Sequence, residues 1–239
     1  MERTHGCSRD TLKYLAIFAM LLDHIAWYLL EFSSPWAQAF HVVGRVTAPV
    51  MCFFLAQGYV YTRSLPRYLG RLLCFAALAQ VPWYFLHPSK GWLTFNFLFT
   101  LALSLLAIHA WEKIGNLALR LLAVAACVAA SYYCDWHIYA PLWCLLFYVF
   151  RKDKGKQLLA FSGVALYYIE ETVRARLNAG FSLHTALRTS AFTLGVFLAI
   201  PLLQLYNDRK GRFAWSKWVF YWFYPVHLAV LAILQRVLK

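Results

Sequence analysis

A chain of 239 residues in which 62% of the side chains are hydrophobic and only 14% are charged has too few polar groups to cover a soluble domain. The net charge of +13 does not indicate a nucleic-acid-binding protein, because the basic residues are spread over short segments between apolar runs. The six cysteines form no CxxC pair and no zinc-type spacing, so we expect packing roles and no metal site. The composition indicates an integral membrane protein.

Nine apolar runs have the character of membrane helices. They lie at roughly 12–30, 46–62, 68–86, 95–110, 117–134, 138–150, 157–169, 184–205 and 216–236, and the sixth and seventh are shorter than the ~20 residues that a perpendicular span needs. No linker or internal repeat divides the chain. The sequence therefore predicts an all-α fold, a polytopic transmembrane helix bundle of about nine membrane segments in a single domain, 1–239. The first run lacks a signal-peptide cleavage site and is expected to remain as the first helix.

The distribution of Lys and Arg predicts the orientation of the chain. If the N-terminus is cytoplasmic, the cytoplasmic segments carry 16 of the 23 basic residues, as expected because basic residues accumulate on that side of a membrane. An odd number of spans then leaves the C-terminus outside. The basic loop at 151–156 is predicted to be cytoplasmic.

The first apolar run contains two polar residues in its middle, Asp23 and His24. A charged side chain at that depth costs several kcal/mol unless it has a partner or meets water. If His24 faces the interior of the bundle, a nearby carboxylate could fix its tautomer, as in the base and orienter pairs of acyl-transfer enzymes. The alternative is a hydrogen-bonded pair that only holds helices together.

A second polar group begins the next run. His41 and Arg45 are four residues apart and share one face of a helix, while Gly44 and Pro49 favour a bend that leaves backbone groups free to bind something polar. Gln57 continues the polar line. The alternative for Arg45 is that its side chain extends to the membrane interface.

Further candidates lie in the fourth and sixth segments. Asn96, Thr100 and Ser104 form a stripe with a spacing of four residues, which is typical of helix packing as well as of a site. Asn96 is the strongest hydrogen-bonding group of the three, so we retain it as a functional candidate. Asp135 lies at the outer mouth of the sixth segment, where it is either a site residue or a turn residue.

The last segment carries Tyr224 and His227, three residues apart on one helix face, with Pro225 between them. A buried histidine on this helix could take part in a site or in packing alone. The charged run at 170–176 is interpreted as a solvated helix end, because adjacent carboxylates on a helix do not flank a substrate bond.

Several motifs together resemble a known family. LKYLAIFAMLLDHIAW, GRVTAPVMCFFLAQGYVYTRSLPRYLGRLLCFAALAQVPW, NFLFTLALSLLAI, DWHIYAPLWCLLFYVFR and KWVFYWFYPVHLAVL occur in this order. They look like the successive signatures of the TraX family, bacterial membrane proteins named for N-terminal acetylation of conjugative pilin. The resemblance runs from about residue 12 to residue 232 and is weak between 151 and 213.

The resemblance implies a membrane acyltransferase of the bacterial cytoplasmic (inner) membrane. Similar proteins take an acetyl group from cytoplasmic acetyl-CoA and deliver it to an acceptor, which here could be a protein N-terminus, a glycan or a small molecule. By this resemblance His24 is the catalytic base or acyl carrier, Asp23 its partner and Arg45 a site arginine. Tyr224 and His227 are further site candidates.

The chain departs from the family pattern at two places. Gln57 replaces an acidic residue, and His137 and Ala140 follow Asp135 where a small Gly is common. Either change could alter the choice of acceptor or the binding of the cofactor.

Arg63, Arg67 and Arg71 are candidate ligands for the phosphates of CoA, since Lys and Arg are the usual partners of phosphate. Their alternative explanation is the excess of basic residues on the cytoplasmic side. Arg45 or Asn96 could stabilise an oxyanion. Two rival functions are a proton-coupled transporter or flippase that uses Asp23, His24 and His227 as a relay, and a non-catalytic assembly factor.

Overall fold

The protein is helical throughout the part that the structure, a computed structural model, describes: residues 6–88, 94–211 and 215–238. Within these ranges it contains no strand and two isolated bridges, Cys7 with Tyr206 and Phe95 with Cys134. The all-α prediction is confirmed. The helices are α1 (Arg9–Leu29), α2 (Pro35–Gly44), α3 (Thr47–Tyr61), α4 (Leu65–Leu86), α5 (Phe97–Lys113), α6 (Leu117–Ala130), α7 (Tyr139–Val149), α8 (Lys154–Asn178), α9 (Leu183–Ser190), α10 (Ala199–Gln204) and α11 (Ser216–Leu238).

Five helical stretches are long and apolar enough to cross a membrane. They are α1, the continuous pair α2–α3, α4, the stretch from α9 to α10 and α11. A 3₁₀ segment, Ala191–Leu198, joins α9 to α10, and shorter apolar helices occupy Leu117–Tyr133 and Tyr139–Val149. The count of about nine membrane segments and the cytoplasmic N-terminus stay predictions.

The chain forms two compact units. The first unit comprises Met1–Val50 with Gly155–Arg212, and the second comprises Met51–Lys154 with Phe213–Lys239. Each unit thus takes residues from two separate parts of the sequence. The prediction of a single domain stays a prediction.

In the first unit α1 packs antiparallel to α2. Near the break between α2 and α3, the hydroxyl of Thr47 donates a hydrogen bond of 2.9 Å to the carbonyl oxygen of Ala16. The break was predicted from Gly44 and Pro49 and is confirmed, since α2 ends at Gly44 and α3 begins at Thr47. The segment Ala191–Leu198 also packs on α2.

In the second unit α4 and α11 run in the same direction. The ring of Phe75, in the middle of α4, stacks on Tyr221 near the start of α11 with centroids 5.1 Å apart. Near the ends of both helices the guanidinium of Arg236 lies 4.4 Å from the centre of the Phe85 ring. α5 packs against α4, α6 and α7. Helices that pack side by side over their whole length bury the apolar faces of both.

The polar stripe of α5 binds backbone groups. The Asn96 amide donates to the carbonyl oxygen of Ala76 and to Gln80 Oε1, each at 2.8 Å, and its oxygen caps the helix by accepting from the Leu98 N–H. One turn on, Thr100 donates to a main-chain carbonyl at 2.6 Å, and Ser104 donates within the helix. The stripe therefore fixes α5 against its neighbours, the packing alternative raised from the sequence.

Substituting Asn96 tests this structural role. Asn96→Ala removes the cap of α5 and the two buried hydrogen bonds that join its side chain to Ala76 and Gln80 of α4, so we expect a loss of about 1–3 kcal/mol in the free energy of unfolding. The matched control is Asn116→Ala, which removes the exposed cap of α6 that accepts from Leu119 and should cost less. Thermal unfolding in detergent measures both, and equal losses would contradict the buried role.

Candidate functional site

The Asp23 carboxylate of α1 is the centre of a buried polar cluster in the first unit. Its Oδ1 accepts a hydrogen bond of 2.8 Å from Nδ1 of His41, and its Oδ2 is bonded to the guanidinium of Arg45. His41 and Arg45 lie one helical turn apart at the end of α2. Because both donors face the same carboxylate, the charge that is costly in an apolar helix is compensated on both oxygens.

His41 is bonded to Asp23 through one of its two ring nitrogens. Its side chain is completely buried, and because Nδ1 donates to Asp23, a neutral ring would carry its lone pair on Nε2. That Nε2 is buried and finds no hydrogen-bond partner within the described residues. A histidine oriented by a carboxylate, with its second nitrogen available, is the arrangement of a general base.

Three aromatic rings surround His41. The centroids of Trp27, Phe192 and Phe32 lie 4.3, 5.4 and 5.5 Å from that of the imidazole. Phe192 comes from the 3₁₀ segment and also lies under the guanidinium of Arg45, at 5.4 Å. We call Trp27, Phe32 and Phe192 the aromatic wall. It keeps the surroundings of His41 apolar, which strengthens the electrostatic interactions of the cluster.

Residues of α8 complete the surroundings of the cluster. The Tyr168 hydroxyl accepts a hydrogen bond of 3.3 Å from Arg45, and the guanidinium of Arg176 lies 5.4 Å from the centre of the Phe32 ring. α8 continues to Asn178, beyond the apolar run at 157–169, so the charged run at 170–176 lies on the helix. Within the same charged run, Glu170 and Arg174 form an exposed ion pair of 3.4 Å, as expected for a solvated surface.

His24 follows Asp23 in the chain, but its side chain is less buried than that of Asp23. Its ring lies 5.7 Å from that of Tyr28 and is half-buried. Adjacent residues point about 100° apart around a helix, and the bonds recorded at the Asp23 carboxylate come from α2. The orienting role predicted for Asp23 is therefore met at His41, which the sequence suggested only as a substrate-binding residue. The catalytic role of His24 stays a prediction.

The second unit gathers other predicted site residues near the start of α5. The hydroxyl of Tyr224 accepts a hydrogen bond of 3.3 Å from the Phe97 N–H, next to Asn96. His227 lies one turn away, with its ring 5.5 Å from that of Tyr224, and its Nδ1 donates to the Phe223 carbonyl at 2.7 Å. Both amide hydrogens of Asn96 are used within the fold, which disfavours it as an oxyanion donor.

Asp135 lies in a tight turn before α7, and this turn packs against the start of α5. Its N–H donates to Phe95 at 2.8 Å and its carbonyl accepts from Thr100. The next two residues, Trp136 and His137, have φ values of 61° and 34°, a conformation that is uncommon for residues other than glycine. The turn alternative is thus observed for the backbone of Asp135, while its half-buried carboxylate remains a site candidate.

The remaining candidates lie on α3 and α4. Gln57 is half-buried, Arg63 and Arg67 are exposed, and Arg71 is half-buried with its guanidinium 5.6 Å from the centre of the Tyr68 ring. Exposed guanidinium groups are accessible to phosphate. The described residues include no group of three His, Cys, Asp or Glu side chains that could hold a metal ion.

One polar cluster of the second unit was missed in the sequence. Tyr59 and His109 share a hydrogen bond of 3.0 Å, and Tyr148 donates to Glu112 at 2.6 Å. Arg151 lies over the Tyr148 ring at 4.2 Å. His109 and Glu112 are three residues apart in the last turns of α5, a spacing that would have indicated a common face.

A comparison with protein-family models identifies the family, and two known proteins are similar to the chain. The family model described as "TraX protein" matches residues 8–235. The chain is 33% identical to the "Probable fimbrial assembly protein FimC, serogroup H1" of Dichelobacter nodosus, over the full length of both. It is also 30% identical over 105 residues to an uncharacterized protein of Rickettsia prowazekii (strain Madrid E), a match that covers 44% of this chain and 38% of the relative. No solved structure matches. The chain belongs to the TraX family.

Proposed function

We propose that this protein is a membrane acyltransferase in which Asp23 and His41 supply the general base. In this proposal it moves an acetyl group from cytoplasmic acetyl-CoA to an amine or hydroxyl of an acceptor at or across the bacterial inner membrane. The observation that supports the chemistry is the buried Nε2 of His41, which lacks a partner within the described residues while Nδ1 is held by a carboxylate. A packing histidine usually satisfies both nitrogens.

The transfer uses the cluster as follows. Nε2 of His41 accepts the proton of the acceptor amine or hydroxyl as that atom attacks the thioester carbonyl carbon. The new bond to the acceptor forms, the carbon–sulfur bond breaks, and the CoA thiolate leaves and takes up the proton. Asp23 stabilises the imidazolium that forms in between, a role that such a carboxylate has in hydrolases. Arg45 holds Asp23 and adds positive charge near the developing oxyanion.

The donor would bind through basic residues on the loop before α4 and on α4 itself, of which Arg63 and Arg67 are exposed and Arg71 is half-buried. Arg63, Arg67 and Arg71 present guanidinium groups, which match the phosphates of CoA. Arg67 and Arg71 lie one turn apart on α4, so they share a helix face. Gln57, one turn before the end of α3, leaves that region without the negative charge that family members carry there.

The acceptor is proposed to be a protein of fimbrial assembly. The Dichelobacter nodosus relative is named for fimbrial assembly, and the family name refers to pilin acetylation. An N-terminal amine is a nucleophile whose proton a neutral histidine can accept. A non-catalytic assembly factor is the rival that fits the same relative, and it predicts no dependence on acetyl-CoA.

The base is tested by substituting His41. His41→Asn keeps an N–H donor for Asp23 but has no base, so we expect the rate of acetyl transfer to fall by about 10²–10⁴-fold while the protein stays folded. The measurement is incorporation of label from [¹⁴C]acetyl-CoA into the acceptors of membranes that contain the protein. His24→Asn in parallel tests the predicted role of His24. A wild-type rate in His41→Asn would show that His41 is not the base.

Binding of the donor is tested separately by thermal unfolding of the detergent-purified protein. At 100 times its dissociation constant acetyl-CoA should stabilise the protein by ~2.7 kcal/mol, and His41→Asn should retain this effect. Arg67→Gln combined with Arg71→Gln should reduce it. If acetyl-CoA stabilises the protein no more than an unrelated nucleotide does, the acyltransferase proposal fails and the assembly factor is favoured.

A third test uses the close approach of α2 to α1. A Cβ atom added to Gly44 would overlap the side chain of Asp23, so Gly44→Ala should displace the carboxylate from His41. We expect a loss of about 1–3 kcal/mol in stability together with a lower rate of transfer. Gly163→Ala in α8, where a Cβ meets open space, is the matched control and should stabilise the helix slightly. A fully active Gly44→Ala protein would contradict the required geometry.

A further inference from the structure

A narrow apolar groove lies on the surface of the second unit, between the last turns of α4 and α11. Its cavity has a volume of about 250 Å³, and its walls include Val81 and Phe85 from α4 and Ala229 and Ala232 from α11. The two alanines are three residues apart and share a helix face. Their small side chains leave the space between the helices unfilled.

Pro82 shapes the same groove from the side of α4. It lies inside the helix and lines the cavity, where its ring replaces a longer side chain. Ile233 of α11 lies on the opposite wall. The surface of the groove is therefore almost wholly apolar, and Arg236 is the one charged residue among those that line it.

Arg236 lies in the last turn of α11 and is exposed. Its guanidinium is at the rim of the groove, 4.4 Å from the centre of the Phe85 ring. Among the residues that the structure describes, no carboxylate forms an ion pair with it. The ring holds the cation at the end of the groove without neutralising its charge.

The surroundings of the groove indicate what fills it. α4 and α11 are both candidate membrane spans, so a groove between them opens toward lipid. A volume of about 250 Å³ is below the roughly 300–1,000 Å³ of typical small-molecule pockets, and it suits part of one acyl chain. A guanidinium in the last turn of a span lies at the depth where phosphate groups of lipids reside.

We propose that this groove is a binding site for a single anionic phospholipid. One acyl chain lies between α4 and α11, and the lipid phosphate bonds to Arg236. A head group without a cation is preferred, because the ammonium of a zwitterionic lipid would be placed beside the guanidinium. The site does not involve Asp23 or His41, and it does not depend on acyl transfer.

The test compares two lipids on the delipidated full chain in detergent. Phosphatidylglycerol should raise the Tm by ~5 °C more than phosphatidylcholine, and native mass spectrometry should detect one retained phosphatidylglycerol. Arg236→Gln should abolish the difference between the lipids. Ala229→Leu fills the groove and should abolish stabilisation by either lipid. Glycerol 3-phosphate, which has no acyl chain, should have no effect.

Lys217→Gln is the matched control. Lys217 lies at the other end of α11, also over an aromatic ring, with its ammonium 5.6 Å from the centre of Trp218, but it does not line the groove. This variant should keep the full preference for phosphatidylglycerol. Equal stabilisation by both lipids, an unchanged preference in Arg236→Gln, or stabilisation by glycerol 3-phosphate alone would each overturn the proposal.

Discussion

The burial of one carboxylate determines the arrangement of the first unit. An ionised Asp23 in an apolar helix costs several kcal/mol unless its oxygens are bonded to donors, and His41 and Arg45 provide one donor for each oxygen. To bring both donors to Asp23, α2 must approach α1 closely, and Gly44 between them has no side chain to prevent this. The register of α1 on α2 satisfies the same requirement.

The second unit uses its polar residues differently. The polar stripe of α5 forms hydrogen bonds to the backbone and to Gln80 through Asn96, Thr100 and Ser104. These bonds position α5 and leave few donors for a substrate. His41 differs because one of its nitrogens is buried without a partner in the described residues. Leaving such a group unsatisfied costs about 1–3 kcal/mol, a cost for which the proposed base function would account.

The sequence was sufficient for some of these features and insufficient for others. Apolar runs predicted the all-α fold, and Gly44 with Pro49 predicted the break in the second span, because both depend on neighbouring residues. The partner of Asp23 could not be predicted, since it lies 18 residues away and depends on the register of two helices. The adjacent His24 was the obvious choice, yet adjacent residues diverge around a helix. No sequence pattern predicted that Phe192, which is about 150 residues from His41 in the chain, would contact it.

In the proposed mechanism, Arg45 would allow His41 to act as a base although it is bonded to a carboxylate. If Asp23 and His41 were alone in an apolar environment, the negative charge could be balanced only by a proton on the imidazole, and Nε2 would then be a donor. Arg45 carries a permanent positive charge, so it balances Asp23 without any proton on His41. A neutral imidazole would then keep a lone pair on Nε2, and Asp23 would still stabilise the imidazolium once a proton is taken. In that mechanism the arginine does more than hold the helices together, because it allows the orienting and the accepting functions to coexist in one buried pair.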